Sequence, residues 1–169
     1  LKNDQINAVV PYAVFGRVST TMRIEQGSNW SLPIELKVVD SAPGIFTVNG
    51  SGRGPASAAN ADGSANSTAT PAERGSVLTI YLTGEGQTDP PGNDGRIIFG
   101  DIRRPLLPVT VRIGGRPAEV LYAGSAPMQV SGIMQVNLRI PEDAPSGAVP
   151  LEVQVGGAGS QQGVTVAIR

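Results

Sequence analysis

Fourteen acidic side chains are the main acid–base material of this chain, because it has no histidine and no cysteine. Ser-His-Asp and thiolate chemistry are therefore excluded, as are His- or Cys-built zinc sites and c-type haem attachment. A glycosidase would need two carboxylates facing each other across a cleft. Here the carboxylates are scattered: Glu25, Glu35, Glu85, Asp101, Glu119, Glu142 and Glu152 fall in turns or at outward strand positions, where solvation accounts for them. No catalytic residue is assigned, and the chain is read as a non-enzyme.

Calcium is the next chemistry to weigh. Asn60, Asp62 and Ser64 place oxygen side chains at alternate positions around a glycine, and Asp89, Asn93 and Asp94 cluster in one segment. Hard oxygen donors in loops suit Ca²⁺. The same residues are also what tight turns use, since short polar side chains bond their own backbone. Turn chemistry is the better account, and no cofactor is assigned. Sugar binding would need aromatic platforms. Of the seven aromatic residues, Trp30, just after a Gly-Ser-Asn turn, is the candidate ligand contact.

The elements that must position these groups alternate with period 2, the pattern of half-buried strands. Val109, Val111 and Ile113 share a face; so do Val136, Leu138 and Ile140; Leu151, Val153 and Val155; and Val164, Val166 and Ile168. IELKV is expected to bury Ile34, Leu36 and Val38, and VLTIYL (77–82) reads as a central strand with Leu78, Ile80 and Leu82 inward. Turn signals separate the runs at 27–29, 113–115, 144–147 and 156–160. Asp62-Gly63 predicts a small hairpin, and 84–96, with Pro90-Pro91, predicts an exposed loop. The class is all-β, read as an immunoglobulin-like sandwich.

The chain also repeats. QINAVVP (5–11) matches QVNLRIP (135–141), an offset of 130 (135 − 5). After each come a turn, an alternating strand, a Gly-containing turn and a last strand (IELKV; VTVAI). Residues 1–41 therefore read as the closing three strands of one module, and 42–169 as a complete second one. Three strands with one apolar face are marginal alone. The face formed by Ile6, Val10, Met22, Ile24, Ile34, Leu36 and Val38 calls for a protein partner, in cis or in trans.

Charge gives no pull toward nucleic acid or anionic lipid: 13 basic residues balance 14 acidic ones. No apolar run is long enough to span a bilayer. Position 1 is Leu, which reads as a processed chain or part of a longer one.

VTVRIGGRPAEVLYAG (109–124), QVNLRIPEDAPSGAVPLEVQVGG (135–157) and the final VTVAI resemble immunoglobulin-like domains of the IPT/TIG type. Together with APGIFTVNGSG (42–52), NADGSANS (60–67) and PAERGSVLTIYLTGEG (71–86), they resemble more closely the Solibacter-type C-terminal domain of secreted Acidobacteria proteins. The resemblance covers about 42–169. It implies an immunoglobulin-like fold and a secreted, modular context, and supplies no catalytic residues.

The expected function is a non-catalytic extracellular or cell-surface structural module, self-associating into a filament or surface layer through its incomplete N-terminal part. The alternative is a carbohydrate-binding or tethering domain of a larger secreted enzyme, with Trp30 and loop 84–96 touching glycan.

Overall fold

The computed structural model describes residues 6–169. Among these, the only helical element is a 3₁₀ turn at Tyr12–Val14. Strands of four or more residues are β1 (Ser19–Met22), β2 (Ile34–Lys37), β3 (Val77–Thr83), β4 (Val109–Ile113), β5 (Arg116–Ser125), β6 (Ile133–Arg139), β7 (Gly147–Val155) and β8 (Val164–Ile168).

Residues 42–169, read above as the second module, hold a separate short pair and one ten-stranded curled sheet. Its order runs from Gly44–Ile45 through β3, β6, β5, β4, β7 and β8 to Gly54–Pro55, with two short strands beside β3 and β7. Antiparallel pairing prevails, the last pair alone being parallel. The two ends of this order meet. Thr47 bridges Ala56, Val48 N–H donates to Pro55 O at 3.0 Å, and Ser57 N–H donates to Phe46 O at 2.8 Å.

Local chemistry explains the curl. The β4–β5 loop is Gly114-Gly115, with φ of 57° and 77°, the double left-handed geometry whose twist matches flanking strands. Farther along β5 the register shifts between Val120 and Tyr122. β5 pairs with β4 over Arg116–Ala118 and with β6 over Glu119–Ser125, and the irregularity within the second pairing adds local twist.

Inside the curl lie the alternating positions read from the sequence. Leu78, Ile80, Leu82, Val111, Ile113, Val136, Leu138, Ile140, Leu151, Val153, Val155, Val164, Val166 and Ile168 are all buried. The Asp62-Gly63 hairpin is present, closed by Asn60 N–H to Ser64 O at 2.8 Å. The 84–96 segment departs from expectation: Glu85 and Thr88 are buried, and Thr88–Asp89 pairs with Arg104–Pro105.

Residues 6–40 form no core. None of them is buried. β1 and β2 pair antiparallel, and the hairpin Glu25–Gln26/Asn29–Trp30 extends their tip, so 19–37 forms a two-stranded arm. Two corrections follow. Ile34 and Leu36 are exposed and Val38 half-buried, because no second layer covers them. Residues 6–11 are not a strand, although their repeat 136–139 lies within β6. A strand exists only against a neighbour, and β6 has β3 and β5 beside it.

The last strand is held on its outer edge by a side chain. Asn66 is buried, accepts from Ala167 N–H at 2.8 Å and donates to Ala167 O at 2.9 Å, replacing a backbone neighbour. Leaving buried polar groups without partners costs about 1–3 kcal/mol each. Asn66→Ala is therefore expected to lower the unfolding free energy by roughly 2–4 kcal/mol in urea titrations. A loss under about 0.5 kcal/mol would show that the latch is unimportant.

Candidate functional site

The arm reproduces the end of the second module strand for strand. Adding 129 to β1 and 130 to β2 turns Ser19↔Lys37, Thr20↔Leu36 and Thr21↔Glu35 into Ala148↔Ala167, Val149↔Val166 and Pro150↔Thr165, which are observed β7–β8 partners. Met22 then occupies the place of Leu151, Ile24 of Val153, Ile34 of Val164, Leu36 of Val166 and Val38 of Ile168. Ile6 and Val10, at the offset of 130, correspond to Val136 and Ile140. Every one of those counterparts is buried. In the arm the same positions are open: Ile6 is 68% exposed, Val10 65%, Ile34 47%, Ile24 40%, Met22 38% and Leu36 38%. The opposite face of the ribbon is polar, with Ser19 Oγ donating to Glu35 Oε1 at 2.7 Å. An amphipathic ribbon with its apolar face uncovered is the candidate site on this chain.

The base of the arm is fixed to the second module. Ser41 Oγ donates to Val155 O at 2.7 Å, and Ala42 N–H donates to Gly84 O at 3.0 Å. Gly84 and Gly86 have φ of 81° and 75°, and a Cβ on either would collide with the backbone of Ala42 or Asp40. Farther up, Tyr12 clamps residues 6–16 to the 84–94 segment. Its hydroxyl donates to Glu85 Oε1 at 2.6 Å, its N–H donates to Asp94 Oδ1 at 2.6 Å, and its carbonyl accepts from Gln87 Nε2 at 3.2 Å. Its ring lies against Gly92, where a side chain would collide with it.

Glu85 is the one buried carboxylate among the described residues. Burial pushes it above the usual carboxylate range, and the Tyr12 hydroxyl pulls it partly back. Burial also raises the Tyr12 phenol, and Glu85 adds to that effect. Arg103, likewise buried, acts on Tyr12 in the opposite sense and donates to Pro91 O at 2.9 Å. Glu85 Oε2 and Arg103 Nε are the buried side-chain polar atoms left without a partner among the described residues. Neither of the two main surface grooves, one along Arg104–Val109 and Val120–Ala123, the other between Phe46, Tyr81 and Gln129, is lined by Glu85. The cluster holds residues 6–16 against the 84–94 segment. The sequence carried no sign of it, since Tyr12 and Glu85 are 73 residues apart.

The oxygen-bearing candidates Asn60, Asp62, Ser64 and Asp94 take part in hydrogen bonds within the chain. Asp62 Oδ1 accepts from Ser64 N–H at 2.9 Å and from Ser64 Oγ at 2.6 Å, contacts that hold its carboxyl below the usual range. Asn60 Nδ2 donates to Ser64 Oγ and to Thr70 O, and Asp94 is taken by Tyr12. Asp89 and Asn93 stand exposed in the neighbouring loop. No group of three or more acidic side chains among the described residues is arranged to hold a metal. Trp30 is 59% exposed at the arm tip. No helix among the described residues is long and apolar enough to cross a membrane. Comparison with known proteins finds no matching family model, curated protein or solved structure.

A raised carboxyl pKa means that the folded chain holds its proton more tightly than the unfolded one. Stability is then lost as pH rises from the ordinary glutamate range, about 4.3, through the raised value. Glu85→Gln keeps an acceptor for Tyr12 and removes the charge. The melting temperature of this variant relative to the parent is expected to rise as pH increases from the ordinary glutamate range through the raised value. A difference that stays constant over that range would show that ionised Glu85 carries no penalty.

Proposed function

We propose that this chain is a non-catalytic structural module that self-associates through its N-terminal β-arm, working outside the cell or at the cell surface. The observation that carries the reading is the arm itself. Its apolar positions coincide with core positions of the second module, yet none of them is buried. A segment with core chemistry and no core is completed by a protein partner.

An immunoglobulin-like architecture belongs to the same proposal. It is supported by β5, which pairs with β4 over its first residues and with β6 from Glu119 onward and so can serve two layers. The secreted context rests on the motifs that resemble the Acidobacteria C-terminal domain. Scarce lysines, two in all, and numerous Gly and Pro turns fit a protease-resistant extracellular part.

Trp30 favours a second reading, glycan binding, because it is exposed at a hairpin tip. Its fluorescence discriminates: a maximum that shifts on adding polysaccharide supports that reading, and an unchanged one removes its main support. The buried state of Glu85 and Thr88 leaves loop 84–96 less to offer a glycan than the sequence suggested.

Native mass measured over a concentration series tests the assembly reading. The parent chain is expected to gain mass with concentration, and Met22→Asp, which puts a charge on the apolar face, to remain monomeric with its urea midpoint unchanged. Brief trypsin treatment of dilute protein should cut first after Arg17, Arg23 or Lys37 and leave the 42–169 sheet intact. A parent chain that stays monomeric at every concentration would sink the reading.

A further inference from the structure

The second module shows what its own β7 needs on the edge away from β8. That edge is filled by β4, antiparallel, with Ile113 opposite Leu151, Arg112 opposite Glu152 and Val111 opposite Val153. By the correspondence above, the equivalent triplet is Met22, the last residue of β1, with Arg23 and Ile24 just beyond it, and no strand pairs with this outer edge among the described residues. The missing neighbour must therefore be an alternating apolar strand. The charge at its centre must be inverted, because Arg23 stands where Glu152 does.

The acidic residue must lie between two apolar ones, in a strand with a free edge. Ala118-Glu119-Val120 and Leu151-Glu152-Val153 have this pattern, but β5 and β7 each stand between two neighbours in the closed sheet. Ile34-Glu35-Leu36 of β2 has it too, and β2 is paired on one side only. The backbone phase agrees. Val38 N–H donates to Val18 O at 3.0 Å, so even-numbered residues of the ribbon turn their peptide groups inward. The peptide groups of Thr21 and Arg23 on one edge, and of Glu35 and Lys37 on the other, point outward.

We infer that the outer edge of β1 in one copy takes the outer edge of β2 from a second copy, antiparallel, with Arg23 opposite Glu35, Met22 opposite Leu36 and Ile24 opposite Ile34. This pairs hydrogen-bonding groups with their complements, aligns the two apolar faces on one side and puts opposite charges across from each other. Sliding the register by two residues would set Arg23 against Lys37, a like-charge pair. The contact joins two different edges and is heterologous, so the joined pair still offers one free edge of each kind, one from each copy, for the next. Arg23 is exposed and makes no hydrogen bond or ion pair within the chain among the described residues.

The inference rests on the assembly reading, and a charge exchange separates the two. Arg23→Glu and Glu35→Arg each place like charges across the contact, and each is expected to raise the half-association concentration about tenfold. An equimolar mixture of the two variants restores opposite charges at every contact and should associate at the parent concentration. Urea midpoints equal to the parent's confirm that the closed sheet is intact. If the single variants associate like the parent while Met22→Asp does not, the assembly reading stands and this pairing is overturned. If the mixture stays as weak as the single variants, the pairing is also overturned. A parent that never associates overturns both.

Discussion

The fold depends on how the last strand, Val164–Ile168, is held on both edges. β7 lies along one side, paired from Gly147 to Pro150. The other side is assembled from scattered pieces: Gly54 N–H to Gly163 O at 2.8 Å, Ala56 N–H to Thr165 O at 2.9 Å, the Asn66 amide on Ala167, and Ala72 N–H to Ala167 O at 2.9 Å. Each piece comes from the Ser-, Ala- and Gly-rich stretch that has little apolar material of its own. That stretch is ordered because it supplies the hydrogen bonds that an open sheet edge would lack. Once Gly54–Ala56 sits on β8, Thr47 is within reach of Ala56 and the sheet closes. Burial of the alternating Val, Ile and Leu residues follows from that closure, since an apolar strand face is useful only when something lies across from it.

The arm shows the same chemistry with the closure missing. Its strands have the register of β7 and β8, and its apolar residues recur at the same places. Among the described residues no strands stand in the places of β3, β4 and β6 beside it, and so it keeps its backbone ladder and loses its core. Backbone pairing and side-chain burial are separable contributions, and this chain displays them apart. At its base the attachment is polar and steric: the Ser41 hydroxyl, the backbone crossing at Gly84 and Gly86, and Tyr12 seated on a buried carboxyl. Those contacts orient the ribbon and leave its apolar face free.

Much of this was legible in the sequence, for a physical reason. Period-2 alternation reports which side chains share a face, and every alternating run from Leu78 to Ile168 points into the core as read. The repeat was equally visible, because QINAVVP and QVNLRIP share their spacing. What alternation cannot report is whether a facing layer exists. Ile34 and Leu36 have the same pattern as Val164 and Val166 yet lie in the open. Nor can it see contacts made across long stretches of chain by single polar side chains. Glu85 sits between two glycines in a segment that reads as a solvated loop, and only the approach of Tyr12 and Arg103 makes it a buried group. Asn66 reads as one more turn residue until Ala167 is found beside it. The turn bonding at Asp62 was legible, because an Asp two residues before Ser64 in an Asp-Gly turn is placed to accept from that residue's N–H.

Attachment at the base also sets how far edge-to-edge pairing can run. Two strands per copy advance a sheet by about 10 Å. The 42–169 module, at ordinary protein compactness, is roughly 35 Å across. All copies carry that bulk at the same end of the ribbon, because β1 and β2 both lead back to it. Strand twist of about 20–25° per step rotates successive copies by roughly 45°. The advance alone would leave neighbouring modules overlapping, so the rotation must carry them apart. The swing cannot come from a free linker, because residues 40–42 are held against Gly84 and Gly86. In the proposed pairing every contact repeats the same advance and rotation, so each added copy meets the same steric demand as the one before. Its product is a fan of modules about the ribbon, with the apolar faces of the arms gathered on one side as a continuous surface.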